Sequence, residues 1–274
     1  FVSKRVNSNQ QPTAKAGGPY TVGEGGSVQL NASGSSDPNQ ANTTLTYQWD
    51  LDGDNIFGEV GAVASRGDET GMTPTFSAAG LDGPRSVTVA LRVTDNGSLT
   101  SMATATIEIA NVVPVLTLTG PTSGVAGQTL SYSGSFTDPG LKSWTLTVNC
   151  GAGGTAGSET ISQALKTFSF TCTYATTGPK TVTANVDDGD PGGIGTTTLG
   201  IVIDFANLQT GVCCAGTGTA LVIGSLTVND RIHVNPIGND GILQVTIIDR
   251  TTDTAVYQAS FAPPSGGFAQ IVIF

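Results

Sequence analysis

Residues 48–55 read QWDLDGDN, with carboxylates at i, i+2 and i+4: Asp50, Asp52 and Asp54. Three chemistries fit that spacing. A hard cation such as Ca2+ takes six to eight oxygens from carboxylates and carbonyls on a tight turn, and Gly53 would allow such a turn. A pair such as Asp50 and Asp54 could serve glycoside cleavage, which needs two carboxylates. Alternatively, the aspartates end a strand and stabilise its turn. The stretch is not an EF-hand, because its glycine falls too early and no helical period flanks it.

Other catalytic groups are scarce. His233 is the single histidine, and it stands in the alternating stretch Asn229–Val234, where it reads as a strand residue. A Ser-His-Asp triad would have to use it, and no G-x-S-x-G elbow is present. No Walker or dinucleotide glycine motif occurs, and the four cysteines (Cys150, Cys172, Cys213, Cys214) show no CxxC spacing for zinc. Arg66-Gly67-Asp68 reads as a loop charge pair. Asn31, Asn42 and Asn96 lie in N-x-S/T sequons, which matter only in a host that glycosylates. The expectation is a protein that is not an enzyme.

The elements that position these residues follow from composition. The chain has 274 residues, 37 of them glycine, with only 12% charged. Thr, Val and Gly richness points to β-structure with many turns. The net charge of −10 comes with no cluster of Lys or Arg, so nucleic acid is not an expected partner. No apolar run reaches the length of about 18 that a membrane helix needs. The opening FVSKRVNSNQQP is polar and is no signal peptide; in a secreted protein the signal would lie upstream or have been removed.

An internal repeat organises the first 200 residues. Asn9–Pro12 (NQQP) recurs as Asn111–Pro114 (NVVP), and SGSSDP ending at Pro38 recurs as SGSFTDP ending at Pro139. LTYQWD at 45–50 aligns with WTLTVN at 144–149, and RSVTVALRVTDNG at 85–97 with PKTVTANVDDGD at 179–190. Each unit alternates with period two between Gly, Pro, Asn and Asp turns, the pattern of a β-sandwich. The expected division is 1–110, 111–204 and a smaller β-domain at 205–274. In the last, Gly238–Gly241 makes a hairpin turn before Ile242–Ile248, and Ala269–Phe274 reads as a strand that ends with the chain, the expectation being either a cut from a longer chain or an edge that pairs with a neighbour.

The first unit resembles the polycystic-kidney-disease (PKD) domain family. The resemblance rests on NQQP at 9–12, AGGPYTVGEGGSVQLNASGSSDP at 16–38, YQWDLDGD at 47–54 and VALRVTDNG at 89–97. The second unit resembles the same family through weaker motifs. The third is similar in style to segments of very large extracellular bacterial proteins, through Asn229–Val234. The resemblance implies tandem immunoglobulin-like β-sandwiches on a cell surface, some of which bind calcium. It adds Asn9 and Asp95 to Asp50, Asp52 and Asp54 as a Ca2+ set, with the loops converging at one end of the sandwich.

The second unit is an internal control. Asn149 stands where Asp50 does and Ala152 where Asp54 does, while Asp188 corresponds to Asp95 and Asn111 to Asn9. A weak site at Asn111, Asn149 and Asp188, or none, is expected there. Cys150 shares a face with Trp144, Leu146 and Val148, and Cys172 shares one with Phe168 and Phe170. In a secreted protein these two read as a disulfide, the alternative being two buried thiols. The pairing of Cys213 and Cys214 stays open.

The function expected is a structural or interaction segment of a secreted or cell-surface protein: a stalk, surface-layer, filament or adhesin module stiffened by calcium. Its partners would be neighbouring copies or domains. The other reading is a module that anchors a secreted hydrolase to polysaccharide or protein fibres; that needs exposed aromatics, whereas most aromatics here fall on core faces.

Overall fold

The computed structural model describes residues 8–210, 219–224, 230–237, 239–264 and 270–273. The described chain is nearly all β, with two short 3-10 turns at Asn42–Thr44 and Gly61–Val63. By proximity it divides into two compact units. One holds Phe1–Val113 with the loop segments Asp138–Ser143 and Asp188–Gly193; the other holds Pro114–Thr137, Trp144–Asp187 and Ile194–Phe274.

The first unit contains β1 (Tyr20–Gly23), β2 (Ser27–Gln29), β3 (Thr46–Asp50), β4 (Thr75–Ser77), β5 (Arg85–Thr94) and β6 (Thr100–Ala110). One sheet has the order β1-β6-β5-β3, and β2 pairs with β4. β5 and β6 form a hairpin, while β1 runs parallel to β6. Period-two patterning buries Trp49, Val89, Leu91, Val93, Ile107 and Ile109 from the sheet against Leu30, Ala32, Phe76 and Ala78. The indole N–H of Trp49 donates to the Gly71 carbonyl at 3.0 Å, so the largest core side chain leaves no polar atom unpaired.

The second unit opens with β7 (Val115–Thr119), β8 (Ser123–Val125), β9 (Thr129–Thr137), β10 (Thr145–Asn149), β11 (Gly154–Ser162), β12 (Thr167–Tyr174), β13 (Gly178–Asp187) and β14 (Ile194–Asp204). They form two four-stranded sheets, β10-β13-β14-β8 and β11-β12-β9-β7. The first of these repeats the order β3-β5-β6-β1 strand for strand, down to the parallel pairing of β8 with β14. The repeat read from the sequence is therefore a repeat of topology. Between the sheets lie Tyr132 stacked on Phe170 at 5.2 Å, with Val182, Ala184, Val186, Ile201 and Ile203. Cys150 and Cys172 form a disulfide with Cα atoms 5.8 Å apart.

The outer face of β11-β12-β9-β7 carries two rows of hydroxyls spanning all four strands. One is Ser162–Thr167–Ser135–Thr117 and the other Thr160–Ser169–Ser133–Thr119. Neighbours bond sideways, Thr117 to Ser135 at 2.9 Å and Thr160 to Ser169 at 2.8 Å. On the inner face, Gly134 stands opposite Phe168, and a Cβ on that glycine would lie 2.3 Å from the phenyl ring.

The remaining strands are β15 (Ala206–Thr210), β16 (Thr219–Ile223), β17 (Asp230–Ile237), β18 (Ile242–Asp249), β19 (Thr254–Phe261) and β20 (Gln270–Ile273). They form the sheets β15-β16-β20 and β17-β18-β19. The hairpin expected around Asp240-Gly241 joins β17 to β18, with Ile237 opposite Ile242. The sequence sets 205–274 apart, and its apolar residues do make their own cluster of Ala206, Leu221, Ile223, Val245 and Ile247. By proximity, however, the segment groups with the second sandwich, and 138–143 and 188–193, read from sequence as part of 111–204, group with the first unit. Cys213 and Cys214 lie outside the described residues.

Candidate metal centre

Asp50 is the last residue of β3, and the chain then leaves the sheet for 24 residues before β4. In the second sandwich the equivalent stretch folds as β11; here it forms a loop whose turn is built by the aspartates. Asp50, only 4% exposed, accepts the backbone N–H of Gly53 at 2.7 Å and of Asn55 at 3.0 Å. Asp54 accepts the N–H of Ile56 at 2.7 Å. Gly53 and Asn55 both take positive φ, 81° and 70°, conformations that glycine and asparagine tolerate.

The loop returns along the free edge of β3. The Trp49 N–H donates to the Glu69 carbonyl, and the Gly71 N–H to that of Tyr47. This return places Glu69 beneath the aspartates. It is fully buried, its Oε1 accepting the Leu51 N–H at 2.6 Å. Glu59, midway along the loop, comes to the outer side.

The result is two overlapping groups of three carboxylates. Oxygens of Asp50, Asp52 and Glu69 lie within 4.8 Å of one another, and so do those of Asp52, Asp54 and Glu59. Burial first, and then the neighbouring aspartates, push Glu59 above the ordinary glutamate value. Burial likewise raises Glu69, against the backbone N–H groups of Leu51 and Glu59 that favour its charged form. One oxygen of Glu59, Oε2, is buried with no hydrogen-bond partner. Carboxylates crowded this closely repel one another unless a cation or protons join them. The donor set is all hard oxygen on a tight turn, which suits Ca2+. Asp50, Asp52 and Glu69 would hold it from the inner side, and Asp54 and Glu59 from the outer.

The structure does not bring Asn9 and Asp95 to this loop. Thr46 pairs with Thr94 and Asp50 with Ala90, so Asp95 lies beyond the opposite end of β3, roughly 17 Å away at the usual rise per strand residue. The expected convergence at one end fails because β3 and β5 are antiparallel. Asp95 instead closes the β5–β6 hairpin. It accepts the N–H groups of Gly97 and Leu99, both at 2.8 Å, and the Asn9 side-chain amide at 2.7 Å.

Of the set expected at Asn111, Asn149 and Asp188, the first and last belong to the first unit and Asn149 to the second. Asn111 donates to Asp188 at 3.1 Å. Asn149 pairs with Thr183, four residues along β10 from the Thr145–Asp187 pair, and makes a turn by accepting the Gly151 N–H. The two Asn–Asp pairs are thus repeated clamps between a leading segment and a hairpin.

Glu59 and Glu69 are the members that sequence reasoning missed. Their separation from Asp50 gives no periodic signal; the available clue was two glutamates inside a long stretch with no strand pattern.

Arg66-Gly67-Asp68 is folded into the same loop. The Arg66 guanidinium bonds the Ala79 carbonyl, and Asp68 accepts the Gly61 N–H at 2.7 Å. His233 lies in β17 opposite Thr246.

No family model matches the chain, and no curated protein matches it. Solved structures with partial likeness include a nucleoside hydrolase-related hypothetical protein from Saccharophagus degradans, associated with carbohydrate metabolism. It is 23% identical with a TM-score of 0.29; the match covers 37% of this chain and 26% of that one. The titin domains z1z2 in complex with telethonin are 15% identical, TM-score 0.36, over 72% of this chain and 98% of theirs. Protocadherin Gamma B2 extracellular cadherin domains 3–6 are 10% identical, TM-score 0.31, over 95% and 73%.

Proposed function

We propose that this chain is a non-catalytic structural and interaction segment of an extracellular or cell-surface protein, built from PKD-like sandwiches and stiffened by Ca2+ at the loop that follows β3. One observation carries the reading: five carboxylates, Asp50, Asp52, Asp54, Glu59 and Glu69, gathered from 20 residues into two overlapping groups, with Glu69 fully buried. A stability role for an unscreened cluster of this kind is poor, because each added charge raises the cost of the others. A bound cation reverses that sign and ties both arms of a long loop together, removing chain entropy that the loop otherwise keeps. The PKD resemblance at 9–110 supports a surface module whose job is spatial.

The reading is tested by calorimetric Ca2+ titration and thermal melts with Ca2+ and with chelator. Wild type should bind and melt higher with Ca2+, and Asp52→Asn, which sits in both groups, should lose both effects. A midpoint that ignores Ca2+ in wild type rejects the site. The second reading, anchoring to neutral polysaccharide, is favoured by the two hydroxyl rows on β11-β12-β9-β7, which offer donors and acceptors without charge. Against it, Trp49, Tyr132, Phe168, Phe170 and Tyr174 are buried and give sugars no aromatic platform. Retention on cellulose or chitin, lost on lysine substitution along those rows, would favour it.

A further inference from the structure

A second acidic cluster lies elsewhere in the first unit, and a lysine pairs with it. Glu24 follows β1 and is buried; its two oxygens accept the N–H groups of Gly83 at 2.7 Å and Val112 at 3.1 Å. Asp82 accepts the Leu141 N–H at 3.0 Å, and buried Asp138 accepts the Gly140 N–H at 2.6 Å. These three carboxylates face one spot. A Cβ placed on Gly140 would lie 2.8 Å from Asp138 Oδ1, 3.1 Å from Asp82 Oδ1 and 3.3 Å from Glu24 Oε1. Asp190, whose side chain is 6% exposed, stands nearby. Here a protein cation pairs directly with the carboxylates. The ammonium of Lys142 pairs with Asp190 and, at 3.4 Å, with Asp82.

We infer that Lys142 is the resident counter-ion of this second cluster, so that it holds without a divalent cation and the response to calcium among the described residues is confined to the loop at 50–69. The second half of this inference rests on the calcium reading of that loop; the first half does not. The geometry suits a tethered ammonium. It sits on a short turn between Asp138 and β10, and it reaches two carboxylates that the sequence places more than 100 residues apart. Its bonds to Asp190 and Asp82 raise its proton affinity, which keeps it charged. The glycine at 140 matters as well, because any side chain there would enter the space between the carboxylates.

The test is hydrogen exchange of the whole chain, with Ca2+ and with chelator, for wild type, Lys142→Met and Lys142→Arg. In wild type, Ca2+ should slow exchange at 50–69 and leave 138–143 and 188–193 unchanged. Lys142→Met should speed exchange at 138–143 and 188–193 by about two- to fivefold in chelator, the scale of losing an ion pair whose lysine is half exposed. Added Ca2+ should restore it, because an uncompensated carboxylate cluster takes the ion that the ammonium replaced. Lys142→Arg should behave as wild type. The inference is overturned if Ca2+ protects 138–143 and 188–193 in wild type, if Lys142→Met exchanges like wild type, or if its loosening is indifferent to Ca2+. If Ca2+ changes nothing at 50–69 in any protein, the calcium reading of the loop fails, while the Lys142→Met and Lys142→Arg comparison still judges the counter-ion.

Discussion

Replacing Cys150 and Cys172 together by alanine is expected to destabilise the second sandwich by about 3.4 kcal/mol. The bridge joins residues 22 apart in sequence, and loop-closure entropy for a loop of that size gives about 11 cal/mol/K, or about 3.4 kcal/mol at 25 °C. At roughly 2–4 °C for each kcal/mol in a unit of this size, the midpoint should fall by about 10 °C. The two tryptophans make the effect local and readable. Trp49 lies in the first core and Trp144 in the second, so a Trp49→Phe background leaves a reporter for the second sandwich, and Trp144→Phe one for the first. Fluorescence melts should show the drop with Trp144 reporting and little change with Trp49 reporting. Wild type under reductant should match the double alanine variant. A loss under about 1 kcal/mol would refute the entropic argument and point to a denatured chain already compact around Phe168 and Phe170. An equal loss reported by Trp49 would refute the assignment of the bridge to one cooperative core.

Three further outcomes are expected. Trp49→Ala should cost about 3–5 kcal/mol, since it empties the centre of the first core and strands the Gly71 carbonyl; chemical denaturation measures it. Asp95→Asn should leave Ca2+ affinity unchanged while lowering stability, because its three partners lie at the far end of β3; titration calorimetry separates the two effects. Glu59 and Glu69 are held above the ordinary glutamate value of 4.5, so they favour the metal-free fold when protonated. That contribution is complete below 4.5 and is lost as pH rises through their raised values. Calcium needs both ionised, so melts with and without Ca2+ should differ at neutral pH and converge as pH falls through the same window.

Much of the architecture was legible because it is written in period two. Trp49 and Tyr47 alternate with polar neighbours, and their counterparts at 144–148 do the same; the matched DP turns and hairpins then fixed the repeat. The Cys150–Cys172 bridge was legible for the same reason, since each cysteine continued an inward face. The site was legible only in part. Asp50, Asp52 and Asp54 stand together in sequence, but Glu59 and Glu69 reach them through a loop with no period, and its course depends on main-chain bonds to the edge of β3. The error over Asn9 and Asp95 has a simple origin. Asp95 flanks β5, in the same sheet as Asp50, and only the antiparallel register of β3 with β5 reveals that it closes the other end, with Asn9 bonded to it.

The hydroxyl face of β11-β12-β9-β7 has a consequence for how that sheet chooses its pairing. Moving β12 two residues along β9 would again set Ser or Thr beside Ser or Thr at nearly every outward position, so solvent cannot tell the right alignment from the wrong one. The choice is made inside, where the ring of Phe168 needs the space that Gly134 leaves empty, and a two-residue shift would drive it against Tyr132 or Phe136. One glycine therefore decides the alignment for the whole sheet. The outward rows, relieved of that task, can change their chemistry residue by residue without unsettling the fold beneath them.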